Sequence, residues 1–226
     1  MTTRPGNFPA ISSLMNPRRR MAKLFAIALM VVMAAAILVE SPAWADDPGT
    51  VVQNTVNQAL KVLRDKQTPL AQRQEQLRQL VASAFDFTDM GKSALGYHWR
   101  QLSPEQQKEF TDVFVSFIED SYLSKISDYK GPDYQVQFLG SRMEGSDYAQ
   151  VNTDIIRSGK EPIHINYRLE KKGGDWKVYD VTVDAISIIA NYRNQFNRVM
   201  NNQGYATLIA DLKSKQAALA ASLANH

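Results

Sequence analysis

DWKVYDVTVDAISIIANYRNQFNRVM, residues 175–200, predicts a strand that passes directly into a helix. Its first half is rich in aromatic and β-branched residues, which suit a pleated, half-buried surface. The preceding KKGGD, residues 171–175, is a turn cluster, so this strand is expected to be the return arm of a hairpin. From Ile188 onward, apolar residues recur mainly at intervals of three and four, which is typical of an amphipathic helix. The apolar corner at residues 186–189 is therefore either a junction of the core or the wall of an apolar pocket.

The segments before this stretch change from helical to strand patterns. Helices are predicted over about residues 51–66, 69–84 and 86–95, with Thr68 as the N-cap of the second and Gly96 ending the third. SPEQ, residues 103–106, predicts a capping box and a further helix, because Ser103 and Gln106 can each bond the other's backbone N–H.

Strands are predicted over residues 134–139, 148–156 and 162–170, and short connections favour an antiparallel meander with the strand of the opening stretch. That last strand is apolar on both faces, which predicts a bulge or burial on both sides. Two closing helices are predicted at about residues 187–202 and 206–224, separated by Gly204. The sequence thus predicts a single α+β domain over residues 46–226, with a twisted four-stranded antiparallel sheet against helices.

The first 45 residues have the order of a secretory signal peptide. Basic residues at positions 18–20 and 23 precede sixteen uncharged residues, 24–39, and AWA at 43–45 fits a signal-peptidase site. Sixteen residues are short for a membrane-spanning helix, which needs about 20. We therefore expect cleavage after residue 45 and a soluble mature protein of 181 residues in the periplasm; a retained anchor is the alternative.

Removal of this leader changes the charge of the protein. The leader holds five basic residues and one acidic residue, so the totals of 26 and 23 fall to 21 and 22, and the mature chain has a net charge of −1. A nearly neutral chain gives no support for nucleic-acid binding. The absence of cysteine from the sequence also argues against a lipid-anchored protein and against a cysteine-based zinc site.

Residues suited to catalysis are sparse. The three histidines have no metal-ligand spacing, and no nucleophile elbow, P-loop or dinucleotide fingerprint occurs, so we predict no catalytic residue and no metal site. Asp154, Asp180 and Asp184 lie on or near strands and remain candidates for acid–base groups in a pocket. The alternative is that these aspartates face water or cap neighbouring turns.

Phe110, Phe114 and Phe117 share one face of the helix that follows residue 103. Such an aromatic stripe usually belongs to a packed core. In a chain of this size, however, a curved sheet with an apolar face could also enclose an apolar cavity against these helices.

Several short motifs together resemble one family. YRL at 167–169, GDWKVYDV at 174–181, IS at 186–187 and NYRNQF at 191–196 form the downstream part. ALG at 94–96, Trp99, SPEQ at 103–106 and EF at 109–110 form the upstream part. The chain is similar in these positions to the MlaC-like (toluene-tolerance) family, the periplasmic phospholipid-binding components of the intermembrane phospholipid transport system, over about residues 51–212.

This resemblance implies a nuclear-transport-factor-like (NTF2-like) cone with additional N- and C-terminal helices. It implies a carrier that holds glycerophospholipid acyl chains in an apolar pocket as cargo, without a cofactor, and shuttles lipid between the outer and inner membranes to maintain lipid asymmetry. The implied pocket wall includes Ile163 and Ile186, and strand alternation adds Ile165 and Tyr167. The full set of candidate lipid-binding residues is Tyr97, Phe114, Val151, Ile163, Ile165, Tyr167, Val181, Val183 and Ile186.

The implied partners are an inner-membrane ABC transporter with MCE-domain subunits and an outer-membrane lipoprotein–porin complex. Two other classes of function remain open at this stage. An NTF2-like enzyme could act on a small apolar substrate with a pocket aspartate, and an interaction module could have a fully packed core.

Overall fold

The computed structural model describes residues 47–123 and 134–224. The predicted leader at residues 1–45 lies outside them. The first part is helical: α1 is Pro48–Arg64, α2 is Leu70–Ala84, α3 is Phe87–Leu95, a 3-10 helix spans Gly96–Gln101, and α4 is Pro104–Leu123. Among the described residues, no helix is both long enough and apolar enough to cross a membrane.

The helix starts follow local hydrogen bonds. The capping box before α4 is confirmed, because the Ser103 N–H donates to Gln106 Oε1 at 3.0 Å and the Gln106 N–H donates to Ser103 Oγ at 3.3 Å. The prediction that Thr68 caps α2 is wrong. Pro69 occupies the N-cap position without a side-chain cap, and the Thr68 hydroxyl donates to Asp65 instead. Asp65 also accepts the Thr68 N–H, so it closes the turn itself.

The sheet is antiparallel, but it has five strands and not the four that we predicted. The strands β1 Tyr134–Met143, β2 Tyr148–Arg157, β3 Lys160–Lys172, β4 Asp175–Val183 and β5 Ile186–Ser187 are adjacent in chain order. The additional strand arises because Asp184 and Ala185 adopt left-handed conformations, with φ of 45° and 67°, and turn the chain back within two residues. Ile186 then pairs with Val183.

The predicted irregularity of the strand in the opening stretch is confirmed as a bulge. Arg168 pairs with Asp180 and Leu169 pairs with Val178, so Tyr179 is an extra residue on β4. Because of this extra residue, Val178 and Val181 face the same side of the sheet although they are three residues apart.

The final helix, α5, is Ile188–Ala224 and is interrupted at Gly204, which has φ 82° and ψ 179°. The expected separation of two closing helices at this glycine is therefore confirmed. Helix α5 packs against α4, α3 and β4, whereas α1 packs against β1 and β2. The helices and one face of the sheet share a continuous hydrophobic core.

Candidate functional site

The inner face of the sheet, which we define as the face turned toward the helices, presents apolar side chains in cross-strand rows. Val151, Tyr167 and Val181 stand opposite one another on β2, β3 and β4. Ile165 and Val183 form the neighbouring row. All five are no more than 2 % exposed. Rows of this kind make a stiff, continuous apolar wall.

Two further candidates extend this wall. Ile163 pairs with Ile155 across β2 and β3 and is buried. Phe114 lies on α4, with its ring stacked on Phe110 at a centroid distance of 5.5 Å. The structure therefore brings seven of the nine candidate residues into one buried cluster, which is lined by the sheet on one side and by α4 on the other.

The aromatic rings of α5 complete the helical side. Tyr192 meets Phe114 edge-on at 5.8 Å and Phe117 edge-on at 5.9 Å, and it stacks on Phe196 at 5.6 Å. Phe196 also meets Phe110 edge-on at 5.8 Å. The sequence predicted Tyr192 and Phe196 only as part of the apolar face of a helix. Their spacing of four residues puts them on the same face of that helix, and this signal could have added them to the candidate site.

Tyr97 and Ile186 are the two candidates that the structure does not bring into the cluster. Tyr97 is 56 % exposed and Ile186 is 37 % exposed. The Tyr97 hydroxyl donates to Asn201 Oδ1 at 2.6 Å, whereas Ile186 lies just before the start of α5. Since Asn201 is thirteen residues beyond Ile188, about 20 Å of helix separates the two candidates.

The buried carboxylate at the corner has a structural role. Asp180 Oδ2 accepts the Ser187 hydroxyl at 2.7 Å, and Asp180 Oδ1 accepts the Ile189 N–H at 3.2 Å. Ser187 in turn accepts the Ala190 N–H at 2.9 Å, as an N-cap residue does. The carboxylate therefore compensates unpaired N–H groups at the positive end of α5.

The other two candidate acid–base residues face away from the helices. Asp154 Oδ1 lies 2.6 Å from His164 Nδ1, and Asp184 Oδ1 accepts the His164 backbone N–H at 3.0 Å. The hydrogen bond and charge of Asp154 raise the pKa of His164. All three aspartates thus have structural partners, in agreement with the reading that they cap turns or face water.

Asp154 and His164 belong to a groove on the outer face of the sheet that the sequence did not predict. An amide pair lies beside them, because Asn166 Nδ2 donates to Asn152 Oδ1 at 2.8 Å. The groove has a volume of about 310 Å³ and is lined by Leu139, Asn152, Thr153, Asp154, His164, Ile165, Asn166, Thr182 and Ala185. Its wall carries mixed amide, imidazole and carboxylate groups, so it differs in chemistry from the inner face.

Ion pairs join the end of β3 to the start of α3. The Lys172 ammonium, near the end of β3, contacts the carboxylates of Asp86 and Asp89. Burial alone would lower the pKa of Lys172, but the two carboxylates raise it well above its usual value. Among the described residues, no group of three or more histidines and carboxylates is arranged to hold a metal ion.

A family model for the MlaC protein matches residues 53–214. The intermembrane phospholipid transport system binding protein MlaC of Haemophilus influenzae is 23 % identical over 201 residues, which cover 86 % of this chain and 93 % of that protein. The toluene tolerance protein ttg2D of Pseudomonas putida is 26 % identical over 182 residues, covering 78 % and 82 % of the two chains.

Among solved structures, the fold is similar to that of a phospholipid-binding protein from Ralstonia solanacearum in complex with a phospholipid. The TM-score is 0.67 at 26 % sequence identity, and the match covers 77 % of this chain and 99 % of that one. The family match spans most of the chain and includes α4, the sheet and the corner at Ile186. The chain therefore belongs to the MlaC protein family.

Proposed function

We propose that this protein is a periplasmic phospholipid carrier that holds acyl chains between the inner face of the sheet and the aromatic face of α4 and α5. The observation that carries the proposal is the apolar wall of Val151, Ile165, Tyr167, Val181 and Val183, in a chain of the MlaC family. The phospholipid bound by the Ralstonia relative supports the same class of cargo.

The energetics of acyl chains in water explain why such a carrier is needed. A phospholipid has about 30 methylene groups, and each costs roughly 0.8 kcal/mol when it is exposed to water, a gross penalty of ~24 kcal/mol. An apolar protein pocket replaces most of that contact with water. Transfer to and from the pocket requires only binding and release, so a carrier of this kind makes and breaks no covalent bond.

Ile186 and Tyr97 have a different role in the proposed pocket from that of the seven buried candidates. Both are exposed, so they are suited to the rim of the pocket, where part of the lipid meets solvent. The buried candidates, Phe114, Val151, Ile163, Ile165, Tyr167, Val181 and Val183, are suited to its interior. We propose that the sheet and helices curve around the chains as an NTF2-like cone.

The proposed carrier is exported to the periplasm and exchanges its lipid with partners in the two membranes. The order of charged, apolar and small residues in 1–45 supports export to the periplasm and cleavage of the leader. The name of the Haemophilus relative, an intermembrane phospholipid transport system binding protein, supports exchange of cargo between membranes. We propose that the partners are an inner-membrane ABC transporter bearing MCE-domain subunits and an outer-membrane lipoprotein–porin complex. In this scheme the carrier moves lipid between the two membranes and thereby maintains lipid asymmetry.

Native mass spectrometry of protein purified from the periplasm tests this function. We expect the wild-type protein to carry phospholipid and Ile186→Asp to fold normally but carry much less, because a charge at the rim must be desolvated when acyl chains occupy it. Leu139→Asp is the matched control, since Leu139 is also exposed but lies on the outer face. A wild-type protein without lipid, or equal loss in both variants, contradicts the proposal.

A further inference from the structure

The surface where the 3-10 helix meets α5 is rich in positive charge. Residues 96–101 and 188–210 contain Arg100, Arg193 and Arg198 but no aspartate or glutamate. In the predicted mature chain, by contrast, acidic residues slightly outnumber basic ones. All three arginines are exposed, and none of them forms an ion pair with a carboxylate of residues 47–123 or 134–224. The described part of the chain therefore leaves their charge without a counter-charge.

Two contacts join the 3-10 helix to α5 and fix this surface. At the first, Arg193 Nε donates to the Ser93 carbonyl at 2.5 Å, and a Cβ on Gly96 would lie 3.5 Å from Arg193 Cδ. At the second, the Tyr97 hydroxyl donates to Asn201 Oδ1 at 2.6 Å. The two contacts are about two turns of α5 apart. Arg193 and Asn201 consequently face the same side of the protein.

Helical spacing places the other two arginines beside the second contact. Side chains three residues apart eclipse in a 3-10 helix, so Arg100 lies on the same side as Tyr97. Arg198 precedes Asn201 by three residues on α5 and shares its face. Because Tyr97 and Asn201 are hydrogen-bonded, Arg100 and Arg198 flank a single contact. We call the set of Tyr97, Arg100, Arg193, Arg198 and Asn201 the arginine surface.

The carboxylates that are closest in sequence leave the arginine surface positive. Asp89 pairs with Lys92 at 2.8 Å, and Glu109 pairs with Lys213 at 2.7 Å. Glu105 lies in the first turn of α4, where it compensates the positive end of that helix. Three arginines therefore outnumber the single unpaired carboxylate nearby.

Tyr97 adds an aromatic ring at the centre of these charges. It is the large apolar residue that the arginine surface exposes. Its ring lies against the buried His98 ring, with a centroid distance of 3.8 Å, while Asn201 fixes its hydroxyl. A tyrosine has an apolar body and a polar tip, and this combination suits the level of lipid headgroups at a bilayer surface. The two contacts hold the ring in place with part of it directed outward.

The composition of the arginine surface favours a bilayer over a protein as its partner. The buried core of a protein interface is depleted of charged residues, whereas here three arginines surround one ring. Anionic headgroups present many phosphates without a fixed shape, and a guanidinium binds phosphate oxygens through two N–H groups at once. Such a contact gains from charge without requiring the arginines to be buried.

We infer that the arginine surface docks this protein on bilayers that contain anionic phospholipids. The inference adds to the proposed function a direct contact with the membrane, and it rests on that function only for the use of the contact. Binding should depend on the charge of the bilayer. It should also weaken with salt, because the attraction between exposed charges is screened over about 10 Å at 0.1 M ionic strength.

Co-sedimentation of purified protein with vesicles tests the inference. The probes are vesicles of phosphatidylcholine alone and vesicles of equal parts phosphatidylcholine and phosphatidylglycerol. We expect the wild-type protein to bind only the anionic vesicles. Arg100→Gln/Arg198→Gln should weaken this binding by about tenfold to thirtyfold, because each arginine near an anionic surface contributes about fivefold. Neither arginine lies in the proposed pocket, so native mass spectrometry should find the lipid content unchanged.

Lys61→Gln/Lys66→Gln is the matched control. Both lysines are exposed and lie at the end of α1 and just after it, and α1 packs against β1 and β2. The control removes the same charge as the arginine variant from another part of the surface. It should weaken binding by less than about twofold, because exposed charges more than about 10 Å from the bilayer are screened.

The inference is overturned if the wild-type protein binds both kinds of vesicle or neither. It is also overturned if the two double variants lose binding equally, which would indicate attraction by net charge alone. In the absence of vesicle binding, an acidic protein surface would be the partner that suits the arginine surface. Normal lipid content without vesicle binding refutes the docking surface alone, whereas binding to anionic vesicles by protein that never carries lipid refutes the proposed function alone.

Discussion

The two faces of the same sheet have opposite chemistry. On β2 and β3, every second residue contributes to the apolar inner wall, while polar residues between them, including Asn152, Asp154, His164 and Asn166, line the groove of the outer face. The polar residues bond mainly to one another, whereas the inner wall carries few polar atoms, and the hydroxyl of Tyr167 there lies 3.4 Å from Thr153 Oγ1. One-residue alternation thus separates a surface fit for hydrocarbon from one fit for water within the thickness of a strand.

The difference between the two faces is tested most directly by placing the same charge at two adjacent positions, one on each face. Ile155 is fully buried on the inner face, and Ile156 is half-buried on the other. Ile155→Asp should lower the free energy of unfolding by at least about 3 kcal/mol, because the carboxylate has no partner in the core. Ile156→Asp should cost no more than about 1 kcal/mol. Urea denaturation measures both, and equal losses would show that the faces do not differ in this way.

Removal of the carboxylate at the corner should have the next largest effect. Asp180→Ala should destabilise the protein by about 2 kcal/mol, because the Ser187 hydroxyl and the first turn of α5 lose their acceptor. Asp154→Ala, which removes an exposed pair on the outer face, should cost less than about 1 kcal/mol. Thermal denaturation tests the order, and the lipid content of the folded protein should be unchanged in both. An order in which Asp154 matters more would contradict the structural role of Asp180.

A smaller effect should come from the turn that exposes Ile186. Ala185 adopts a left-handed conformation that costs a residue with a side chain about 1 kcal/mol, and glycine avoids this cost but gains freedom in the unfolded chain. Ala185→Gly should therefore stabilise the protein by about 0.5 kcal/mol. The same change at the exposed helical residue Ala210 should destabilise it by up to about 1 kcal/mol. Urea titrations that gave both variants the same sign would disprove this account of the turn.

The smallest effect concerns the pH response of the outer face. Because the pKa of His164 is raised by Asp154, the stabilisation is fully present below the unfolded pKa of about 6.5 and is lost as pH rises through the higher folded value. The His164 side chain is 69 % exposed, so solvent screening should keep the effect well under about 1 kcal/mol. The melting temperature of the wild-type protein, relative to His164→Gln, should therefore fall slightly between pH 6 and pH 8. A rise over that interval would reverse the assigned sign.

The features that the sequence predicted correctly depend on local patterns. The capping box at Ser103 and the break at Gly204 are set by a few adjacent residues, and period-two alternation gave the burial of Ile163, Ile165 and Tyr167. Apolar residues on both faces of the last long strand predicted either a bulge or burial on both sides, and the structure has a bulge, at Tyr179.

The features that it missed depend on contacts across the chain or on very short segments. Two residues cannot show alternation, so β5 had no pattern of its own. The exposure of Ile186 depends on a left-handed turn at residues that are not glycine. The edge-on contacts of Tyr192 with Phe114 and Phe117 join two helices separated by the entire sheet in sequence, so no local spacing could have shown which rings meet. The cap of α2 failed because Asp65 competes for Thr68.

The bulge at Tyr179 also determines where this strand can change in length during evolution. Because two residues of β4 lie opposite Arg168 of β3, Val178 and Val181 share a face although they are three positions apart. Deletion of one residue between them would leave the two-residue spacing of a regular strand, so both valines would keep their face and only the bulge would be lost. Deletion of Thr182, in the regular part of the strand, would instead move Val183 to the opposite face. Relatives that lack one residue of this strand should therefore lack it at the bulge, which an alignment can check directly.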